Sequence, residues 1–162
     1  MHKLLLLALL SAASATCLFA GAALGTSGST RAAPVRISTR TVPKLGVVLV
    51  NAKGRTLYMF VPDKQSKVTC VKTCAAVWPP VKIASGAKAV AGGQAKASLL
   101  GSDRIPAGGR VVTYYGWPLY AYVADTAAGQ AKGQALNLNG GYWYVLSPAG
   151  KVIKTKLAGG YR

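Results

Sequence analysis

Laid over itself at an offset of 62 residues, the chain matches without a gap: Gly54-Arg55-Thr56-Leu57-Tyr58-Met59-Phe60-Val61-Pro62-Asp63 falls on Gly116-Trp117-Pro118-Leu119-Tyr120-Ala121-Tyr122-Val123-Ala124-Asp125. The shared pattern is Gly-x-x-Leu-Tyr-x-aromatic-x-x-Asp. Only three acidic residues exist in the chain, Asp63, Asp103 and Asp125. Two of them occupy the same repeat position, a coincidence that composition does not explain. Upstream, Val50 lies over Val112, and Trp78 and Trp143 follow at similar distances downstream. A duplication of this kind predicts two like units burying their apolar faces against each other.

Each unit reads as a hairpin. Val47-Val48-Leu49-Val50 is apolar and β-branched, Asn51 to Gly54 supplies a turn, and Arg55 to Val61 resumes as a strand. The second copy runs from Arg110 to Tyr115, turns at Gly116, and continues from Pro118 to Val123. Alternation puts Leu57, Met59 and Val61 on one face and Tyr58 and Phe60 on the other, with Leu119, Ala121 and Val123 opposed to Tyr120 and Tyr122. Both faces are apolar, so these strands are either covered on both sides or present an aromatic face to a ligand.

Between and after the hairpins, Thr73 to Val77 suits one helical turn, closed by Pro79-Pro80, which also hold Trp78 extended. Ala84 to Ser98, mostly Ala and Gly, reads as a mobile loop with at best a weak helix, and Thr126 to Gln134 as a second loop. Tyr142 to Leu146 and Lys151 to Ile153 make a closing hairpin around Ser147-Pro148-Ala149-Gly150. The expected fold is mainly β: two hairpin-containing repeats, about 45–83 and 108–147, related by a pseudo-two-fold and packed as one small domain over 42–158, with a short helical turn near the cysteine pair.

Residues 1–24 carry His2 and Lys3, then a leucine-rich run, then Ala20-Gly21-Ala22, the pattern of a secretory signal peptide. An uncleaved anchor is the alternative, because about 20 apolar residues can span a bilayer. Lipidation at Cys17 is a third, although Ser14-Ala15-Thr16 lacks the usual lead-in, so Cys17 reads as an incidental leader residue. Residues 25–41, rich in Gly, Ser, Thr, Ala and Arg, read as a flexible tether. The expected location is therefore secreted or attached to the cell envelope. Outside the cytosol thiols tend to be oxidised, so Cys70 and Cys74 are read as a structural disulfide, against a Cu(I) site or redox dithiol.

Scarcity excludes much chemistry. The one histidine is His2, inside the leader, and glutamate is absent. A mature chain without imidazole has no Ser-His-Asp triad, His-ligated haem or His-rich zinc site, and glycosidase-type carboxylate pairs are poorly supplied. No nucleophile has an identifiable base, so an enzyme is disfavoured and no cofactor is expected.

These residues resemble the bacterial secreted-repeat family of predicted lipoproteins defined by a duplicated Tyr-x-(Phe/Trp/Tyr)-x-x-Asp motif, whose function is not established. The resemblance spans about Leu45 to Gly150. Its most specific pieces are Leu57-Tyr58-Met59-Phe60 with Asp63, Cys70-x-x-x-Cys74-Ala75-Ala76-Val77-Trp78-Pro79-Pro80, Thr113 to Tyr120 with Asp125, and Gly140-Gly141-Tyr142-Trp143. The chain departs from the family by carrying Ser66 and Lys72 where Gly is usual, and Ala107-Gly108 where Asp-Gly precedes the second repeat.

Asp63 and Asp125 have two readings. Each carboxylate accepts backbone N–H bonds in the following turn or pairs with an Arg, or else the pseudo-symmetry joins them as a cation site that needs carbonyl ligands as well. Tyr58 and Tyr120 read as core residues with hydrogen-bonded hydroxyls. Trp78, Trp117 and Trp143 are the candidate ligand-facing row, suited to stacking on sugars or a planar molecule. Net charge is +17, or +16 once Lys3 leaves with the leader. Such a field favours anionic envelope polymers or lipid headgroups, and no nucleic-acid motif accompanies it. The leading expectation is a non-enzymatic, exported binding module for anionic envelope components or a small ligand. An extracytoplasmic redox or copper-handling protein built on Cys70 and Cys74 is the alternative.

Overall fold

The computed structural model describes residues 32–64 and 67–157. The leader with its alternatives, Cys17, residues 25–31 of the expected tether, Ser66 and residue 158 lie outside these. Among the described residues no helix is long and apolar enough to cross a membrane.

Among the described residues eleven strands and one short α-helix follow in order: β1 (Val35–Val42), β2 (Gly46–Asn51), β3 (Tyr58–Phe60), α1 (Thr73–Val77), β4 (Lys82–Ile83), β5 (Ala89–Ala91), β6 (Leu100–Arg104), β7 (Arg110–Tyr114), β8 (Trp117–Pro118), β9 (Leu136–Leu138), β10 (Gly141–Leu146) and β11 (Val152–Ile153). They form three small sheets, ordered β2-β1-β5, β11-β10-β3 with β9 beside β10, and β4-β7-β6 with β8 beside β7. The chain is mainly β, with its helical turn next to the cysteine pair, as the duplication predicts.

The two repeats exchange strands. β3 of the first repeat pairs with β10 of the second, matching Phe60 with Trp143 and Tyr58 with Val145. The corresponding strand of the second repeat takes the Trp-Pro-Pro segment of the first: the Ala121 N–H donates to the Pro79 carbonyl at 3.0 Å, and Pro80 bridges Tyr120. Between them, Tyr58 and Tyr120 exchange both backbone hydrogen bonds, at 2.8 and 2.9 Å, so the pseudo-two-fold axis runs between these residues.

Both faces of these central strands are covered. Leu57, Met59 and Leu119 sit in an aliphatic core with Ile37, Leu49, Val112 and Leu146, while Tyr58, Phe60 and Tyr120 sit in an aromatic core with Trp78 and Trp143. Burial of the second face removes the alternative of an aromatic face offered to solvent. It also removes more apolar area from water, at about 25 cal/mol per Å².

Three expectations are corrected. The segment read as a tether contains β1, which pairs antiparallel with β2 and parallel with β5. Val35, Ile37, Thr39 and Thr41 alternate with polar residues, and this β-branched period of two outweighs the low hydrophobicity of the stretch. The loop expected over Ala84 to Ser98 holds β5, whose Ala-Val-Ala is poor in strand formers and is fixed by the edge of β1. Finally, Val50 does not correspond to Val112. The Leu57 N–H donates to the Leu49 carbonyl and the Leu119 N–H to the Val112 carbonyl, so Leu49 is the true counterpart. The second hairpin is one residue shorter, closing through Tyr115 and Gly116 at φ 50° and 76°, the two-residue turn that requires positive φ twice.

Candidate functional site

The repeated Tyr and Asp meet across the axis rather than within a repeat. The Tyr58 hydroxyl donates to Asp125 Oδ2 at 2.6 Å, and the Tyr120 hydroxyl donates to Asp63 Oδ2 at 2.5 Å. Each carboxylate follows its strand into a turn, where its other oxygen is used locally. Asp63 Oδ1 accepts from the Thr69 N–H and hydroxyl, both at 2.6 Å, and Asp125 Oδ1 accepts from the Lys132 N–H at 2.9 Å. Both residues are buried. A charged carboxylate out of water is tolerated only when its oxygens are hydrogen-bonded, and here every one is.

Burial pushes the Asp125 carboxyl above its ordinary value, opposed by the bonds from Tyr58 and the Lys132 N–H and by the charges of Lys132 and Arg55. Burial likewise drives the Tyr58 phenol far up, reinforced by the charge and hydrogen bond of Asp125, and Tyr120 rises through burial and its bond to Asp63. The proton stays on the phenol in each pair. These are phenol donors locked onto carboxylate acceptors, an arrangement that cross-links the repeats and engages every oxygen of both carboxylates. Among the described residues no group of three or more His, Cys, Asp or Glu side chains could hold a metal ion.

The tryptophans are inside. Trp78 and Trp143 are fully buried and stack on each other at 3.9 Å with planes 2° apart. Phe60 stacks on the outer side of Trp143 and Tyr122 on the outer side of Trp78, each at 4.1 Å, giving a four-ring column symmetric about the axis. Tyr58 and Tyr120 meet Trp78 and Trp143 edge-on at 5.4 and 5.2 Å. Trp117 is half-buried against the aliphatic core. The ligand-facing row of Trp78, Trp117 and Trp143 is therefore corrected. The strand exchange stacks the two repeat tryptophans face to face, and such pairs add about 0.5–1.5 kcal/mol beyond burial. Among the described residues the exposed aromatics are Tyr115 and Tyr142, which sequence reasoning missed.

Cys70 and Cys74 form a disulfide with Cα atoms 5.2 Å apart, clipping the start of α1 beneath the aromatic column. It belongs to the first repeat alone. In the second, the Gly133 N–H donates to the Tyr58 hydroxyl at 3.2 Å, and the buried Gln134 amide holds the end of β11 and the chain beyond it through the Ile153 and Thr155 carbonyls.

Charge is partitioned between inside and outside. Asp63 and Asp125 are buried and Asp103 is half-buried, whereas no described lysine or arginine is buried. Solvent meets an almost purely cationic surface.

A duplicated β domain, knotted across its axis by reciprocal Tyr–Asp bonds and a shared aromatic column, is the class of protein that this fold and site define. Residues 39–82 and 105–147 match the family described as a secreted repeat of unknown function, one match for each unit, and the chain belongs to that family. Its place is extracytoplasmic. No match was found among curated proteins or among solved structures.

Proposed function

We propose that this exported protein is a non-enzymatic module that binds anionic envelope polymers through its outer surface. The observation that carries the reading is the inward placement of the acids. The motif residues Leu57, Tyr58, Phe60, Asp63, Leu119, Tyr120, Tyr122 and Asp125 are consumed in holding the repeats together. What is left for partners is a surface of unneutralised lysine and arginine, which draws polyanions by field and counterion release. The joined cysteines support the staple over the redox or copper-handling alternative.

Retention of the purified protein on anionic cell-wall polymer, followed through a sodium chloride series, tests this reading. Binding should weaken steeply with salt and weaken further when Lys88, Lys151 and Lys154 are each replaced by Glu. Retention that ignores both salt and charge reversal would overturn it.

A further inference from the structure

The duplication builds one surface groove twice, and only one copy is lined by cations. In the first repeat, a groove of about 440 Å³ beside β1 and the β2–β3 turn is lined by Arg36, Ser38, Thr39, Arg40, Asn51 and Lys53 among others. Its counterpart beside β6 and the β7–β8 turn, about 520 Å³, is lined by Leu99, Gly101, Thr113, Tyr115 and Gly116 among others. Strand register fixes the correspondence. Thr39 pairs with Leu49 as Ser102 pairs with Val112, and Leu49 and Val112 are counterparts, so Arg36 answers to Leu99, Ser38 to Gly101 and Arg40 to Asp103. The fold thus forms this groove without cations, and the three charges of the first copy are an addition to it.

The two arginines are also seated. A Cβ on Gly92 would stand 2.6 Å from Arg36 Nη1, and one on Gly54 would stand 3.2 Å from Arg40 Nη2. A Cβ on Gly129 would touch the Arg40 side chain at 3.4 Å. Bare glycine backbone from three separate loops therefore supports the two arginines. All three cations, Arg36, Arg40 and Lys53, are exposed, and among the described residues none of their side-chain nitrogens has a hydrogen-bond or ion-pair partner.

Resting on the reading above, we infer that this groove is a phosphodiester subsite, gripping phosphate groups of an anionic chain between Arg36, Arg40 and Lys53. Two planar guanidinium forks and an ammonium, with the Ser38 hydroxyl between the arginines, present donors from several directions. That suits the tetrahedral oxygens of phosphate better than a single planar carboxylate.

The test is calorimetric titration with a short glycerol phosphate oligomer, alongside sedimentation with vesicles of phosphatidylglycerol in phosphatidylcholine. The Arg36→Ala/Arg40→Ala/Lys53→Ala variant should lose at least about tenfold in affinity. Lys151→Ala/Lys154→Ala/Lys156→Ala, which removes equal charge elsewhere, should lose no more than a few-fold. Gly92→Ala, which displaces the Arg36 tip but keeps every charge, should weaken oligomer binding as well. Preference for the oligomer would identify a polymer phosphodiester as the ligand, and preference for the vesicles a lipid headgroup; either supports the subsite. Equal losses in the two triple variants, or full affinity in Gly92→Ala, would overturn the subsite while salt-sensitive retention on long polymer still stood. No binding of any polyanion by the unaltered protein would instead remove the broader reading.

Discussion

Tyr58 of the first repeat donates its phenolic proton to Asp125 of the second across 2.6 Å, and no hydrogen bond within its own repeat replaces that contact. With the mirror bond from Tyr120 to Asp63, it makes each repeat the completion of the other's buried polar site. Neither half can bury its carboxylate satisfied without its mate. The strands obey the same rule, since β3 takes β10 and the Tyr120 strand takes the Trp-Pro-Pro segment.

The tightness of the aromatic column predicts the effect of one methyl group. A Cβ on Gly133 would stand 2.6 Å from Trp78 Cη2 and 3.0 Å from Tyr58 Cζ, both on rings held by stacking. Gly133→Ala should destabilise the fold by about 1–3 kcal/mol in denaturant unfolding, because neither ring has room to retreat. A neutral result would mean that the column is loosely packed.

Stability should respond to pH in a direction set by the buried pairs. Tyr58 and Tyr120 hold their protons more tightly folded than unfolded, so their contribution is complete below the ordinary phenol value of 10.0 and is lost as pH rises beyond it. Asp125 is also raised, so protonating it on acidification adds stability rather than removing it. The expected profile resists mild acid and fails in alkali. Absorbance at 295 nm should show these two tyrosines ionising only as the protein unfolds, and their smooth titration in the folded state would contradict the account.

Lys72 has φ 52° and ψ −122°, a backbone conformation that L side chains rarely adopt, at the entrance to α1. The resemblance to the secreted-repeat family implies Gly at this position, and the geometry supplies a physical reason for it. Lys72→Gly should stabilise by about 1 kcal/mol, measured by the denaturation midpoint at unchanged slope. A loss of stability would mean that the lysine side chain contributes more than its backbone strain costs.

The Cys70–Cys74 bridge closes a very short loop, so its removal should be mild. Chain-entropy reasoning gives about 2 kcal/mol for Cys70→Ser/Cys74→Ser. The near-ultraviolet circular dichroism of the stacked tryptophans should persist in this variant at low temperature. Collapse of that signal would make the disulfide a condition of folding rather than a local clip.

How far the sequence could be read follows from which interactions are local. The hairpins, the helical turn at Thr73–Val77 and the closing hairpin rest on periodicity and turn residues, and each is present. The strand exchange was not legible, because a single sequence does not say which of two equivalent tryptophan segments β3 will choose. Trp78 and Trp143 were consequently misplaced, their burial being decided by that choice. β5 depends on a parallel pairing with the distant β1, whereas β1 itself carries a local signal in its β-branched alternation and its hairpin with β2. The turn joining β9 to β10 carries its signal locally: Asn139-Gly140, at φ 58° and 88°, is the residue pair that tight hairpins favour. The cationic groove was visible only as net charge until the register aligned it with its uncharged twin.

On the function proposed above, the Tyr–Asp pairs hold the domain together while the cationic surface binds partners. This division of roles is tested most directly by measuring Tyr120→Phe twice, for stability and for affinity toward the glycerol phosphate oligomer. Removing this hydroxyl leaves Asp63 Oδ2 buried without its donor, which costs about 1–3 kcal/mol. The account predicts that loss of stability with oligomer affinity unchanged wherever the variant remains folded. Affinity that falls in a folded Tyr120→Phe protein would place the buried tyrosines in the binding site and contradict it.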